Sequence, residues 1–219
     1  MQAPRSRVAG QEFDHSQGSN QSLILLLAVL AGLIVGLVRA GHRKCKLQIP
    51  SLTWIGFVPV ALAVQFIALQ GSYGGNKFPD WIGPAGLVTS LLILSAFVWL
   101  NRKLPGFWLL GLGLALNLIV IVWNGGLMPV STRTIQQITQ DNPAASWEVG
   151  QRYADSKDIV LNEDDICLRF LSDRFVLPDW VPYRIAFSLG DMIIGLGAFW
   201  FMSTLGGAQS LQVETIKEQ

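Results

Sequence analysis

Residues 23–38 run for sixteen positions without a polar side chain, and four further apolar stretches follow at about 49–69, 82–100, 104–123 and 185–205. Hydrocarbon tolerates only backbones that satisfy their own N–H and C=O groups, and a helix of about twenty residues crosses a core of about 30 Å. Apart from Asp191, these stretches carry no ionised group. Five such helices leave too little polar chain to clothe a soluble protein, since charged residues make up 14 % of the chain against roughly 25 % in soluble domains. The expected fold class is therefore all-α, a polytopic membrane protein with five transmembrane helices. The same balance excludes a disordered chain, a basic nucleic-acid binder and an ordinary cytosolic enzyme.

Charge sorts the connections. Arg39, Arg43, Lys44 and Lys46 follow the first span without an acid, and Arg102 and Lys103 fill the tight turn between the third and fourth. The positive-inside rule puts both connections in the cytoplasm. Parity then places the N-terminus outside and the C-terminus inside a multi-pass protein of the cell membrane. Residues 124–184, with nine acids against six basic residues, fall outside and are expected to pack over the bundle. The expected organisation is a flexible polar extension at 1–22, a membrane domain at 23–205 and a polar tail at 206–219. No compact positive region leads into the first apolar run and no small-residue cleavage pattern follows it, so a retained helix is expected rather than a signal peptide.

Small and polar residues mark the faces that meet other helices. Ala28, Gly32, Gly36 and Ala40 recur every fourth position and form a stripe for close helix packing. Pro59 in the second span is expected to kink it. Gly106, Gly113, Asn117 and Asn124 lie within about 40° of one another on the fourth helix, and Ser188, Asp191, Gly195, Ala198 and Met202 share a side of the fifth. Asn117 and Asp191 each sit six residues inside the outer end of their spans, so both lie about 9 Å deep. Gln65 and Thr89 come from the neighbouring helices at similar depth, giving a polar layer in the outer half of the membrane. An intramembrane carboxylate is costly, which makes Asp191 either a hydrogen-bonded anchor of the bundle or part of an ion, proton or solute site. No lysine or arginine lies deep enough in a span to serve as its counter-ion. Trp81, Trp99, Trp108 and Trp123 sit near span ends, as interfacial anchors do.

Asn124-Gly125-Gly126-Leu127-Met128-Pro129 ends the fourth span with two residues suited to positive φ and one that blocks helical continuation. Ser131 to Ile138 has the spacing of a short amphipathic helix. The acids at 163–165 do not match a calcium loop. Cys45 and Cys167 fall on opposite sides of the membrane and neither has metal-ligand spacing, so no disulfide, metal or cofactor is expected. No nucleophile–base pair, paired carboxylates or histidine cluster is present, and no catalytic residue is assigned.

The run Asn124 to Ser131 and the later Ser188-Leu189-Gly190-Asp191 resemble a family of uncharacterised bacterial multi-pass membrane proteins, a domain of unknown function with an Asn-Gly-Gly-x-Met-Pro turn and a Ser-x-Gly-Asp start to its last helix. The basic loop at 39–46 after a glycine-rich helix, and Leu171-Ser172-Asp173 before Pro178, are similar as well. The resemblance covers roughly 23–205 and implies grouping Asn124, Gly125 and Gly126 with Ser188, Gly190 and Asp191. It carries no activity. Three functions stay open: an accessory or structural membrane component, passage of an ion or small polar solute past Asp191, and an embedded enzyme acting on a lipid or isoprenoid head group. The partners expected are membrane lipids and a second membrane protein, with no nucleic acid.

Overall fold

The computed structural model describes residues 22–43, 50–71, 78–139, 147–153, 156–178, 181 and 184–205. The expected tail at 206–219, all but the last residue of the extension at 1–22, and Cys45 lie outside them. Six helices dominate: α1 (Ser22–Arg43), α2 (Phe57–Gly71), α3 (Ile82–Leu100), α4 (Phe107–Trp123), the short α5 (Thr132–Thr139) and α6 (Leu189–Thr204). Two small sheets join them. β1 (Met128–Ser131) pairs in parallel with β2 (Asp158–Leu161), Met128 opposite Asp158, and β3 (Phe175–Val176) pairs antiparallel with β4 (Ala186–Phe187).

The protein is mostly helical, but the expectation of five full-length spans requires correction. α1 and α3 are long and apolar enough to cross a membrane, whereas α2, α4 and α6 are 15, 17 and 16 residues long. Each shortening has a local cause. The chain turns at Trp54–Gly56, with Trp54 at φ 55°, before α2 begins. Gly106 at φ 81° delays α4, and the chain enters α6 through the extended β4. Pro59 is consequently the third residue of α2 rather than its middle. Its missing N–H falls among the donors that no helix start can satisfy internally, so it need not break the helix.

α1 and α3 are little covered by the rest of the protein. Only 17 % and 33 % of their apolar windows are buried, and Leu26, Leu27, Ile34 and Leu37 of α1 face outward. The helices pack in the order α2, α3, α4, α6, α1, with no packed face between α1 and α2 among the described residues. Glycine sets the spacing. A Cβ on Gly32 would stand 2.6 Å from the Phe199 carbonyl oxygen, and one on Gly36 the same distance from that of Met202. Ala28 lies opposite Gly195, and Ala40 is also buried. Residue numbers rise together along this contact, so α1 and α6 are parallel. Their N-termini share one end of the bundle with the segment between α4 and α6, called the cap below.

The α4–α6 contact repeats the device. Gly106 and Gly113 meet Gly197 and Gly190, pairs spaced by seven residues on antiparallel helices. A Cβ on Gly113 would lie 2.6 Å from the Gly190 oxygen, and one on Gly197 would lie 2.9 Å from the Gly106 oxygen. At the opposite end Asn101 binds the chain entering α2. Its Oδ1 accepts from Thr53 N–H at 2.8 Å and its Nδ2 donates to the Thr53 oxygen at 2.9 Å. Met128 and Leu171 of the cap join the bundle's apolar core, while Val130, Ile135, Tyr153 and Val160 form a second core within the cap.

Gly32→Leu forces α1 away from the α6 backbone and is expected to lower the thermal midpoint in detergent, with a cost of about 1–3 kcal/mol typical of overpacking. Gly41→Ala is the control, because nothing stands within 4 Å of that added carbon.

Candidate functional site

α6 starts with a capping box that fixes Asp191. Ser188 is the N-cap: its Oγ accepts from the Asp191 N–H at 3.0 Å, and the Ser188 N–H donates to Asp191 Oδ2 at 3.1 Å. Such reciprocal bonds satisfy two of the four amides that a helix start leaves open. Asp191 therefore lies in the first turn of its helix, not six residues into it. It still meets Asn117 six residues inside α4, because α6 itself begins below the cap end of α4. Asn117 Nδ2 donates to Asp191 Oδ1 at 2.8 Å, and Ser188 Oγ donates to Asn117 Oδ1 at 3.0 Å. Gly190 makes room for this ring, since a Cβ there would overlap the Asn117 amide.

The structure thus brings Asn117, Ser188, Gly190 and Asp191 into contact. Asn124 is elsewhere. Its Oδ1 accepts from the Cys167 N–H and its Nδ2 donates to the Cys167 oxygen, both at 2.9 Å, with a further bond to the Val120 oxygen at 2.8 Å. Gly125 and Gly126 complete the helix end. At φ 83° and 90° they let the Gly126 N–H reach back to the Ile121 oxygen at 2.8 Å, and Gly126 fits directly under Pro84. These three residues close α4 and hold the cap instead of joining the ring at Asp191. Thr89 faces outward, and Ser90 takes its expected place, its one hydroxyl proton shared between Gln65 Oε1 at 3.2 Å and the Leu87 oxygen at 2.8 Å.

A cavity of about 330 Å³ lies beside this ring, bounded by α1, α2, α3, α4 and α6. Leucine and isoleucine side chains make most of its wall, while Gln65, Asn117, Lys157 and Asp191 supply the polar part. Lys157 is the group that sequence reasoning missed. It comes from the cap, immediately before β2, and its Nζ lies 3.6 Å from Asp173 Oδ2. Burial disfavours its charge, but Asp173, Asp191 and Asp158 together outweigh that and raise its pKa above the ordinary lysine value, while at fully buried Asp173 burial outweighs the attraction of Lys157 and raises the carboxyl's pKa as well. The cation near Asp191 is therefore supplied from outside the helices. One basic residue in a loop that also holds Arg133 and Arg152 gave no signal of its depth. Arg152 is used differently, donating to the Leu69 oxygen at 3.1 Å near the end of α2, where a cation meets the negative end of the helix dipole. Among the described residues no group of three histidine, cysteine or acidic side chains is arranged to hold a metal ion.

Residues 50–203 match DUF5317, a family of unknown function, and the chain belongs to that family. Over 117 residues the chain is 27 % identical to an uncharacterized protein of the bacterium Thermotoga maritima, a match covering 51 % of this chain and 58 % of that relative. The chain therefore spans less than two thirds of the relative's length. No solved structure matches.

Lys157→Met removes the cation from beside buried Asp173 and is expected to cost about 3–5 kcal/mol, as breaking one side of a buried pair does. Adding Asp173→Leu should recover much of it. Denaturant titration in detergent, followed by tryptophan fluorescence, measures both; an additive double variant would mean that the two side chains do not act on each other.

Proposed function

We propose that this member of DUF5317 is a five-span membrane protein of accessory or structural role, with its N-terminus outside, its C-terminus in the cytoplasm and residues 124–184 packed over the outer face. The observation that carries the structural role is the closed ring at Asp191. Both carboxylate oxygens accept hydrogen bonds, from Asn117 and from the Ser188 backbone, which is how a half-buried acid can hold a bundle together.

Two observations support five spans despite three short helices. Among the described residues, five of the six exposed tryptophans fall in two belts, Trp81 and Trp123 at the cap end and Trp54, Trp99 and Trp108 at the other, the sixth being Trp200 of α6. Trp81 and Trp99 are separated by eighteen residues, about 27 Å along a helix, close to the hydrocarbon thickness. The glycines of α1 also seat it against the backbone of α6, as suits a permanent member of the bundle. Within the family, the Asn-Gly-Gly-x-Met-Pro turn would serve as the clamp for the outer segment and Ser-x-Gly-Asp as the start of the last span. The polar extension at 1–22 and the cytoplasmic tail at 206–219 complete this organisation.

The cavity beside Asp191 favours a second reading, passage of an ion or small polar solute. An enzyme acting on a lipid head group has less support, because Asn124 and the glycine turn bind the cap rather than line the cavity.

Two measurements test these readings. In a Cys45→Ser background, Cys167, whose side chain is exposed, should react with a membrane-impermeant maleimide added to intact cells; reaction only after lysis would reverse the orientation. Asp191→Asn should lower the protein's thermal midpoint and its yield with a co-purifying membrane partner. If stability and partner are unchanged while solute flux into proteoliposomes falls, transport replaces the accessory role.

A further inference from the structure

The cavity has a polar end, an apolar end and an open side, and these three features together describe a ligand. Gln65 lies six residues from the end of α2, about 9 Å below the cap end, while Leu94 lies twelve residues into α3, about 18 Å deep. Both line the cavity: apolar Ile24, Leu69 and Ile121 share its cap end with the polar groups, and below the level of Gln65 and Asn117 the wall is apolar, with Leu91, Leu94 and Leu114. α1 borders it through Ile24 and Leu25, yet makes no packed face with α2 among the described residues. The gap between these two helices lies on the apolar outer surface of the bundle, where Leu62 and Phe66 of α2 and Leu26 and Leu30 of α1 are exposed. In a bilayer that opening faces acyl chains.

The charges at the polar end select the head group. Lys157 and Asp191 stand there with opposite sign, and Asp173 and Asp158 add to the negative field around Lys157. An anionic head would approach carboxylates, and a cationic one would meet the ammonium. Gln65 presents its amide differently: Oε1 already accepts from Ser90, and its Nε2 has no partner among the described residues. A half-buried amide donor on the cavity wall is open to an acceptor oxygen.

We propose that the cavity binds a neutral acylglycerol from the surrounding bilayer, entering sideways between α1 and α2, with its ester and hydroxyl oxygens at Gln65 and Lys157 and its acyl chain along Leu91 and Leu94. The proposal rests on the membrane-spanning reading and goes beyond the accessory role, since it assigns a ligand to the cavity that the ring at Asp191 borders.

The full-length protein in phosphatidylcholine nanodiscs, loaded with a fluorescent monoacylglycerol, tests it by displacement. Monooleoylglycerol should displace the probe saturably, and oleate and oleylamine should do so at least about tenfold less well. Gln65→Leu removes one hydrogen bond and should weaken monooleoylglycerol about fivefold. Leu25→Trp, placed at the partly exposed mouth, should abolish saturable binding at an unchanged melting temperature. If that variant proves unstable, Gln65→Leu decides. Equal displacement by all three amphiphiles, or wild-type binding in Gln65→Leu, overturns the proposal. Release of the protein from native membranes by alkaline carbonate would overturn the membrane reading instead. Retention without monooleoylglycerol binding overturns only the ligand.

Discussion

The contact between α4 and α6 is the constraint on which the rest of the structure depends. Gly106 and Gly113 on one helix face Gly197 and Gly190 on the other, and the equal spacing lets both crossings close together. At that separation the Asn117 amide reaches Asp191, and the first turn of α6 is satisfied below the end of its neighbour. Larger side chains would separate the helices by an ångström or more, enough to stretch hydrogen bonds of 2.8–3.1 Å beyond useful length. Dispersion contacts and internal hydrogen bonds must carry such packing, since lipid tails are as apolar as the helices themselves.

The cap extends that arrangement instead of forming a separate layer. Asn124 clamps Cys167 by two bonds, Arg152 reaches the end of α2, and Lys157 enters the cavity between the helices. Each uses a different property: a planar amide that matches a peptide, a long guanidinium that reaches a helix carbonyl, and an ammonium held charged by carboxylates. The parallel pair β1 and β2 provides the frame, with α5 in the connection between them. A polar cluster that looks intramembrane from the helices alone is thus shared between the bundle and its cover.

Much of the helical layer was legible in the sequence. The stretch expected at 82–100 matches α3, and the four-residue recurrence of Ala28, Gly32, Gly36 and Ala40 marks the face that α1 turns to α6. Asn117 and Asp191 were paired by depth alone, although the depth of Asp191 within its own helix was misjudged. Hydropathy does not register where a helix starts. Trp54–Gly56 and Ile185–Phe187 are as apolar as the helices they precede, so their turn and strand were hidden within longer apolar runs. Thr89 and Ser90 illustrate the same limit: adjacent hydroxyls on one helix point about 100° apart, and only packing decides which is buried.

Composition and periodicity determined by themselves that this chain is a helical protein with an apolar exterior, which faces carry glycine, and where its few polar side chains sit along each helix. Those properties are local, set by residues three or four positions apart. Tertiary structure alone decided the partners: Asn124 with Cys167, Lys157 with Asp173, and Ser90 with Gln65. The reason is geometric. These pairs join residues 16 to 43 positions apart, so each depends on how the separate faces are brought together.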